Sequence, residues 1–272
     1  LAGVAREKAS LLRILAPGGA AVVPDAPAEL DAPVREAAPP RTVRFGESEG
    51  ADLRVTGIEE SPRGLGFRLA GVGEVCLPML GRHNACNAAA AAAVGLQLGV
   101  PPAEIVAALA SAGGAEMRLD RREVPLGDGT LLVLNDAYNA NPESTLAGLR
   151  TLLAHPRPEG GRRVAVLADM LEMGDAGPEL HREVGERLLE LGAQETLGLA
   201  VLVGPLMMFC ADRLARALPP ERVLAVPDLD AGRDAEIAAL LRPNDVVLLK
   251  GSRGMRLERV LEALERPCVG VP

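Results

Sequence analysis

Three short polar stretches hold most of the residues in this sequence that could do chemistry. Asn135-Asp-Ala-Tyr-Asn-Ala-Asn141 carries three of the six Asn residues and the only Tyr. Asp169-Met-Leu-Glu-Met-Gly-Asp175 supplies carboxylates, and Lys250-Gly-Ser-Arg-Gly254 supplies an ammonium and a hydroxyl. Amides, carboxylates and one ammonium together suit a ligand that itself bears both charges, such as an amino acid or a short peptide. A turn made only to reverse direction could use Gly and Ser, so the Asn-rich loop is expected to contact something. The plainer alternative is a connection that caps its own helix.

A fourth candidate is Gly81-Arg-His-Asn-Ala-Cys-Asn87, which opens an Ala-rich helix running to about Leu98. Asn84 and Asn87 are three apart and share one helical face near the N-terminus, where side-chain amides and free N–H groups could read a base or a phosphate. The alternative is an Asn N-cap beside a solvated Asn. Lysine usage adds a further signal. Of the 29 basic residues all but Lys8 and Lys250 are Arg, and a Lys kept among so many Arg marks a place for a compact ammonium or a neutral amine, which guanidinium cannot supply.

The elements that must position these residues follow from the apolar pattern. Residues 130–135, 163–168, 200–203, 222–226 and 245–250 are short apolar runs, and helical patterns over 142–154, 178–191, 206–217, 230–241 and 254–265 alternate with them. Such alternation predicts an α/β fold with a mostly parallel sheet covered on both faces. The three polar stretches then fall at carboxyl ends of strands, where open α/β sheets bind ligands. Pro142 fits the first turn of the helix after the Asn-rich loop. Upstream, residues 3–15 read as an amphipathic helix ended by Pro17-Gly-Gly19, and 20–23 as a strand leading to Asp25. Period-two spacing over 42–45, 52–58, 66–69 and 74–77 predicts a small set of antiparallel strands. Helices over 83–98 and 103–111 come next, and Ala112-Gly-Gly-Ala-Glu-Met-Arg118 reads as a hinge, placing a domain boundary near residue 117.

With 272 residues there is room for one large or two ordinary domains with real cores. A net charge of −8 and scattered Arg argue against a nucleic-acid backbone or an anionic membrane as the main partner. Cys76, Cys86, Cys210 and Cys268 form no C-x-x-C pair, so neither a zinc site nor a disulfide framework is indicated, and a reducing cytoplasm is the simplest setting. The Ala-rich segment 88–94 is too short to span a bilayer. No G-x-G-x-x-G turn follows a strand, which excludes the usual dehydrogenase reading.

Asp136-Ala-Tyr-Asn-Ala-Asn-Pro142, Leu167-Ala-Asp-Met-Leu-Glu-Met-Gly174, His181-Arg-Glu-Val-Gly185 and Lys250-Gly-Ser-Arg253 closely resemble the Mur ligases, which join amino acids to a growing peptidoglycan precursor. Within that family they are similar to the MurF branch, which uses ATP to add D-alanyl-D-alanine to UDP-N-acetylmuramoyl-tripeptide. The resemblance runs in order from Lys8 to about Leu264. It implies a Rossmann-like C-terminal ligase domain over 118–272, preceded over 1–117 by part of a central ATP-binding domain. It makes Lys8, Arg118 and Lys250 catalytic. His83, Asn84 and Asn87 resemble an adenine-binding helix start, with Asn87 on the base. Asp136 matches the residue that holds the ATP ribose, and Arg118 an arginine directed at nucleotide phosphate. Tyr138, Asn139, Asn141, Asp169, Lys250 and Ser252 would face the incoming dipeptide. Lys8 falls where related ligases carry a carbamylated lysine that helps bind a magnesium ion, so ATP and Mg2+ are the implied cofactors.

The family also implies a cytoplasmic enzyme that acts as a monomer, takes UDP-MurNAc-tripeptide and D-Ala-D-Ala, and neither binds nucleic acid nor inserts in a membrane. Asn135 stands where an Asp is common, Ala168 where Gly is common, and Lys8-Ala-Ser-Leu where Lys-Gly-Glu-Ile is usual. No G-x-x-x-x-G-K-[ST] phosphate loop occurs. The expectation is therefore the C-terminal part of a ligase that by itself does not turn over ATP. Two other readings stay open: another amide ligase of the wider Mur and folylpolyglutamate synthase group, and a noncatalytic nucleotide- or peptide-binding module.

Overall fold

The computed structural model describes residues 2–230 and 232–265, and Cys268 lies outside the described residues. The chain divides between Gly113 and Gly114 into two compact units.

In the first unit, helix α1 (Ala2–Ser10) tightens into a 3-10 turn over Leu11–Ile14. Leu11 and Ile14 are exposed, and only Leu12 and Leu15 pack, partly buried, against Ala21, Val23 and Val34. Strand β1 (Ala21–Pro24) leads through a short helix, α2 (Asp31–Ala37), to β2 (Thr42–Gly46), β3 (Leu53–Ser61), β4 (Gly64–Leu69) and β5 (Gly73–Leu77). These five form one sheet in the order β1-β2-β3-β4-β5. The expected antiparallel set holds only from β3 onward, because β2 runs parallel to both β1 and β3. The reason is α2, absent from the sequence reading, which carries the chain back so that β2 enters from the same end as β1. Helix α3 (His83–Gln97) lays Ala85, Ala88, Ala89, Ala92 and Ala93 into one core with Val55, Phe67, Leu69 and Val75, small side chains that let helix and sheet approach closely. Helix α4 (Pro102–Ala110) begins on a proline and adds Ile105 and Leu109 to that core.

The second unit contains β6 (Asp120–Leu126), β7 (Gly129–Asp136), α5 (Pro142–Ala154), β8 (Arg163–Ala168), α6 (Gly177–Glu190), α7 (Ala193–Thr196), β9 (Leu199–Val203), α8 (Met207–Leu214), β10 (Val223–Val226), α9 (Arg233–Ala239), β11 (Val246–Lys250) and α10 (Glu258–Glu265). Its six strands lie in the order β10-β9-β8-β11-β7-β6. All pairings are parallel except β6 with β7. Val247 and Leu249 join a core with Ile237, Leu241, Val260 and Leu261 on one face, whereas Leu248 packs against Gly148 of α5 on the other. Both faces are thus covered, which is why β9 and β11 are apolar at almost every position.

Strand β6 was not expected from sequence. Its residues Asp120-Arg-Arg-Glu-Val-Pro-Leu126 are mostly exposed and include a proline, as an edge strand tolerates, so they lack the apolar run of the buried strands. A two-residue turn joins β6 to β7, with Gly127 at φ +59, the left-handed geometry such a turn needs at its first position.

Candidate functional site

The strand order creates a switch point. From β8 the chain proceeds outward through β9 to β10, then returns through α9 to place β11 between β8 and β7. Loops after β7, β8 and β11 therefore leave neighbouring strand ends, the arrangement that opens a crevice in an α/β sheet.

Lys250 closes β11 as the register partner of Asp136 on β7 and of Leu167 on β8. Its side chain is only 3% exposed, and Nζ sits 2.7 Å from Asp136 Oδ2. It also donates to the Asn139 carbonyl at 2.8 Å. The ammonium is thus held by one carboxylate and by the backbone of the Asn-rich loop. Leu119 N–H donates to the other Asp136 oxygen at 3.2 Å.

In the Asn-rich loop, most side-chain amides serve the loop itself. Asn135 and Asn139 accept from Ala137 N–H and Ala140 N–H. Asn141 caps α5: its Oδ1 accepts Ser144 N–H at 2.8 Å while its own N–H donates to Ser144 Oγ at 3.1 Å, a reciprocal capping box. Tyr138 behaves differently. It is 46% exposed, and the Arg118 guanidinium lies 4.5 Å from its ring centroid. Tyr138 N–H donates to the Met117 carbonyl at 3.1 Å. Met117 and Leu119, on either side of Arg118, both have φ in the left-handed region, at 62° and 53°. Such conformations are costly for residues other than glycine, and they present Arg118 outward beside the loop.

Asp169, expected to face the dipeptide, lies beside the start of α8. It is 2% exposed, and its carboxylate accepts Met207 N–H at 2.7 Å and Leu206 N–H at 3.2 Å. It therefore caps α8, a favourable seat for a negative charge. Gly204, at φ +114, leaves the space this requires, since a Cβ there would stand 2.4 Å from Asp169 Cγ. Ser252 is likewise buried, its Oγ accepting Leu171 N–H at 2.8 Å. Gly251, before it, passes so close to β8 that a Cβ would stand 2.7 Å from that of Ala168.

In the first unit, His83 and Asn87 are exposed at the start of α3 and Asn84 is buried. Asn84 donates to the Leu80 carbonyl at 2.7 Å and accepts from Asn87 Nδ2 at 2.9 Å. The buried amide thereby orients the exposed one. Burial, with Glu47 and Asp25 nearby, pushes the neighbouring Cys86 thiol up from its ordinary range. Lys8 lies on an exposed turn of α1.

His181 belongs to the motif His181-Arg-Glu-Val-Gly185, whose chemistry the sequence alone leaves open. It is fully buried on α6, with Nε2 accepting Met170 N–H at 2.9 Å. The available signal was its place on the apolar face of α6, in line with Val184, Gly185 and Leu188. Among the described residues no group of three or more His, Cys, Asp or Glu gathers to hold a metal ion. Among them also, no helix is long and apolar enough to cross a membrane.

A doubly covered, mostly parallel sheet with polar loops at its switch point defines a domain of the doubly wound α/β class, in which ligands generally bind at that point. The chain belongs to the Mur ligase family: residues 117–253 match the family's "Mur ligase, glutamate ligase domain" and residues 1–95 its "Mur ligase middle domain". The UDP-N-acetylmuramoyl-tripeptide--D-alanyl-D-alanine ligase of Bacillus subtilis is 30% identical over 230 residues, covering 82% of this chain and 47% of that protein. The crystal structure of MurF from Acinetobacter baumannii superposes with a TM-score of 0.78 at 31% identity, covering 97% of this chain and 55% of that one. MurF ligase from Thermotoga maritima in complex with ADP gives a TM-score of 0.69 at 26% identity, over 91% of this chain and 53% of that one. The chain thus spans about half the length of the relatives it matches.

Proposed function

We propose that this chain serves a MurF-type reaction, the ATP-dependent addition of D-alanyl-D-alanine to UDP-MurNAc-tripeptide in the cytoplasm, by a ligase that works as a monomer. The carrying observation is the set formed by Lys250, Asp136 and the Asn135–Asn141 loop at the switch point, within a chain similar to D-alanyl-D-alanine-adding ligases. In this reading residues 1–117 belong to the central ATP-binding domain and 118–272 form the ligase domain.

When bound, ATP would supply the phosphoryl group that activates the tripeptide carboxylate as an acyl phosphate, and the dipeptide amine would displace that phosphate. The residues of this chain bind and orient. In the first unit, Asn87, oriented by Asn84 and flanked by His83, reads the adenine edge. In the second, Arg118 is exposed and offers its guanidinium to phosphate, where a planar fork gives strong charge-assisted bonds. Asp136, held in place by Lys250 Nζ and Leu119 N–H at the end of β7, is the carboxylate that would meet the ribose hydroxyls. Tyr138 and Asn139 line the approach of the dipeptide, and Lys250 fixes the loop that carries them. Asp169 and Ser252 act from behind by holding α8 and the loop after β8. Lys8 is exposed on α1, and a carbamate on its amine would help hold the Mg2+ that the family resemblance implies.

The chain contains one Tyr and no Trp, so its tyrosine fluorescence reports on Tyr138 alone. Titration with D-alanyl-D-alanine is expected to change that signal, whereas L-alanine, D-glutamate and diaminopimelate leave it unchanged. A response to one of the free amino acids and not to the dipeptide would assign the chain to another branch of the family.

A further inference from the structure

The loop after β8 owes its shape to side chains from two other elements. His181 Nε2 accepts Met170 N–H at 2.9 Å, and Nδ1 lies 2.6 Å from the Gly177 carbonyl. Both bonds are satisfied only by a neutral ring with its proton on Nδ1. On the other side, Ser252 Oγ accepts Leu171 N–H at 2.8 Å, and Ser252 N–H donates to the Asp169 carbonyl at 3.1 Å. Three consecutive residues are therefore tied, Met170 to α6, and Asp169 and Leu171 to the segment that begins with Lys250.

The chain beyond them turns sharply. Glu172 has φ +64 and Gly174 φ +55, and the side chains of Leu171 and Glu172 are exposed. A glutamate persists in the left-handed region only where its flanks are fixed. The ties that fix it converge on Met170 and Leu171.

We propose that His181 is a positioning residue for the dipeptide site. By accepting Met170 N–H it sets the direction in which Leu171 and Glu172 leave the sheet, and through Leu171 and Ser252 it keeps that loop against the Lys250 segment. This rests on the reading of the crevice as a dipeptide site. An apolar ring in place of His181 would fill the same space but leave Met170 N–H buried without an acceptor, and the loop would move to recover one.

The test compares His181→Phe with His181→Gln in the 272-residue chain, reading amide hydrogen exchange and the response of Tyr138 fluorescence to D-alanyl-D-alanine. In His181→Phe the Met170 and Leu171 amides are expected to exchange about tenfold faster or more, with those of Val247 and Leu249 unchanged, and the dipeptide to bind about tenfold more weakly. The side-chain carbonyl of Gln can take Met170 N–H, so His181→Gln should hold both readouts within about threefold of the wild type. Unchanged exchange at Met170 and Leu171 in His181→Phe would overturn the proposal. So would an equal rise across β8 and β11 in both variants, the mark of a core residue with no directed role. If the wild-type chain gives no response to the dipeptide, the ligand reading fails by itself, and the exchange data still decide the role of His181.

Discussion

Lys250 Nζ stands 2.7 Å from Asp136 Oδ2, and the two residues are register partners at the carboxyl ends of adjacent parallel strands. Removing either charge breaks this ion pair in a mostly buried place. Lys250→Met and Asp136→Asn are each expected to destabilise the second unit by about 3 kcal/mol, and the double variant by clearly less than their sum. Urea unfolding followed by Tyr138 fluorescence measures this, because the only Tyr belongs to that unit. Strict additivity would mean that the pair is not coupled.

Asp169 is expected to behave as a helix cap. Asp169→Ala should cost about 1–2 kcal/mol through the loss of acceptors for Leu206 and Met207 N–H, with Asp169→Asn intermediate. Gly204→Ala should cost at least as much, since its methyl would occupy the place of the carboxylate. Thermal melts of the three variants give the order. An Asp169→Asn variant that keeps its stability but loses the dipeptide response would return Asp169 to the ligand contacts.

Arg118 should matter more for nucleotide than for folding. Its stacking on Tyr138 is partly exposed and is worth about 0.5–1 kcal/mol, so Arg118→Ala should unfold nearly as the wild type does. Its affinity for ATP, measured by calorimetry, is expected to fall about tenfold, as for loss of one charge-assisted contact to phosphate. Equal affinity in both proteins would remove Arg118 from the nucleotide site.

Burial pushes the Cys210 thiol from its ordinary value of 9.0 up to about 12. The folded state therefore holds this proton more tightly than the unfolded chain. The associated stability is fully present below pH 9 and is lost as pH rises towards about 12. Unfolding free energy should decline between those limits with a slope of at most about 1.4 kcal/mol per pH unit from this residue, and Cys210→Ala should remove that part of the slope. In native protein at pH 8, peptide-resolved thiol labelling should modify exposed Cys76 before half-buried Cys86 and spare Cys210.

The alternation of strands and helices after residue 129 was legible because buried parallel strands are apolar throughout and the connecting helices carry a periodic apolar face. Helix α5 was legible also through Pro142 in its first turn, whereas the cap by Asn141 was only the plainer alternative to a ligand contact. Strand β6 was not, because an exposed edge leaves no apolar signature. The direction of β2 was hidden too, since period-two spacing is the same whichever way the neighbouring strand runs.

Among the polar residues the difference is sharper. Residue types and spacing by themselves marked which loops hold the polar groups and singled out Lys250, because those are properties of the chain alone. Only the tertiary structure decided partners. It inserted β11 between β7 and β8, bringing Lys250 to Asp136 across 114 positions of sequence. It turned the Asp169 carboxylate to the start of α8, 38 residues downstream, and gave His181 the amide of Met170. Periodicity records which face of an element is buried. Which polar group meets which across that face follows from strand order, and strand order is set by the packing of the whole sheet.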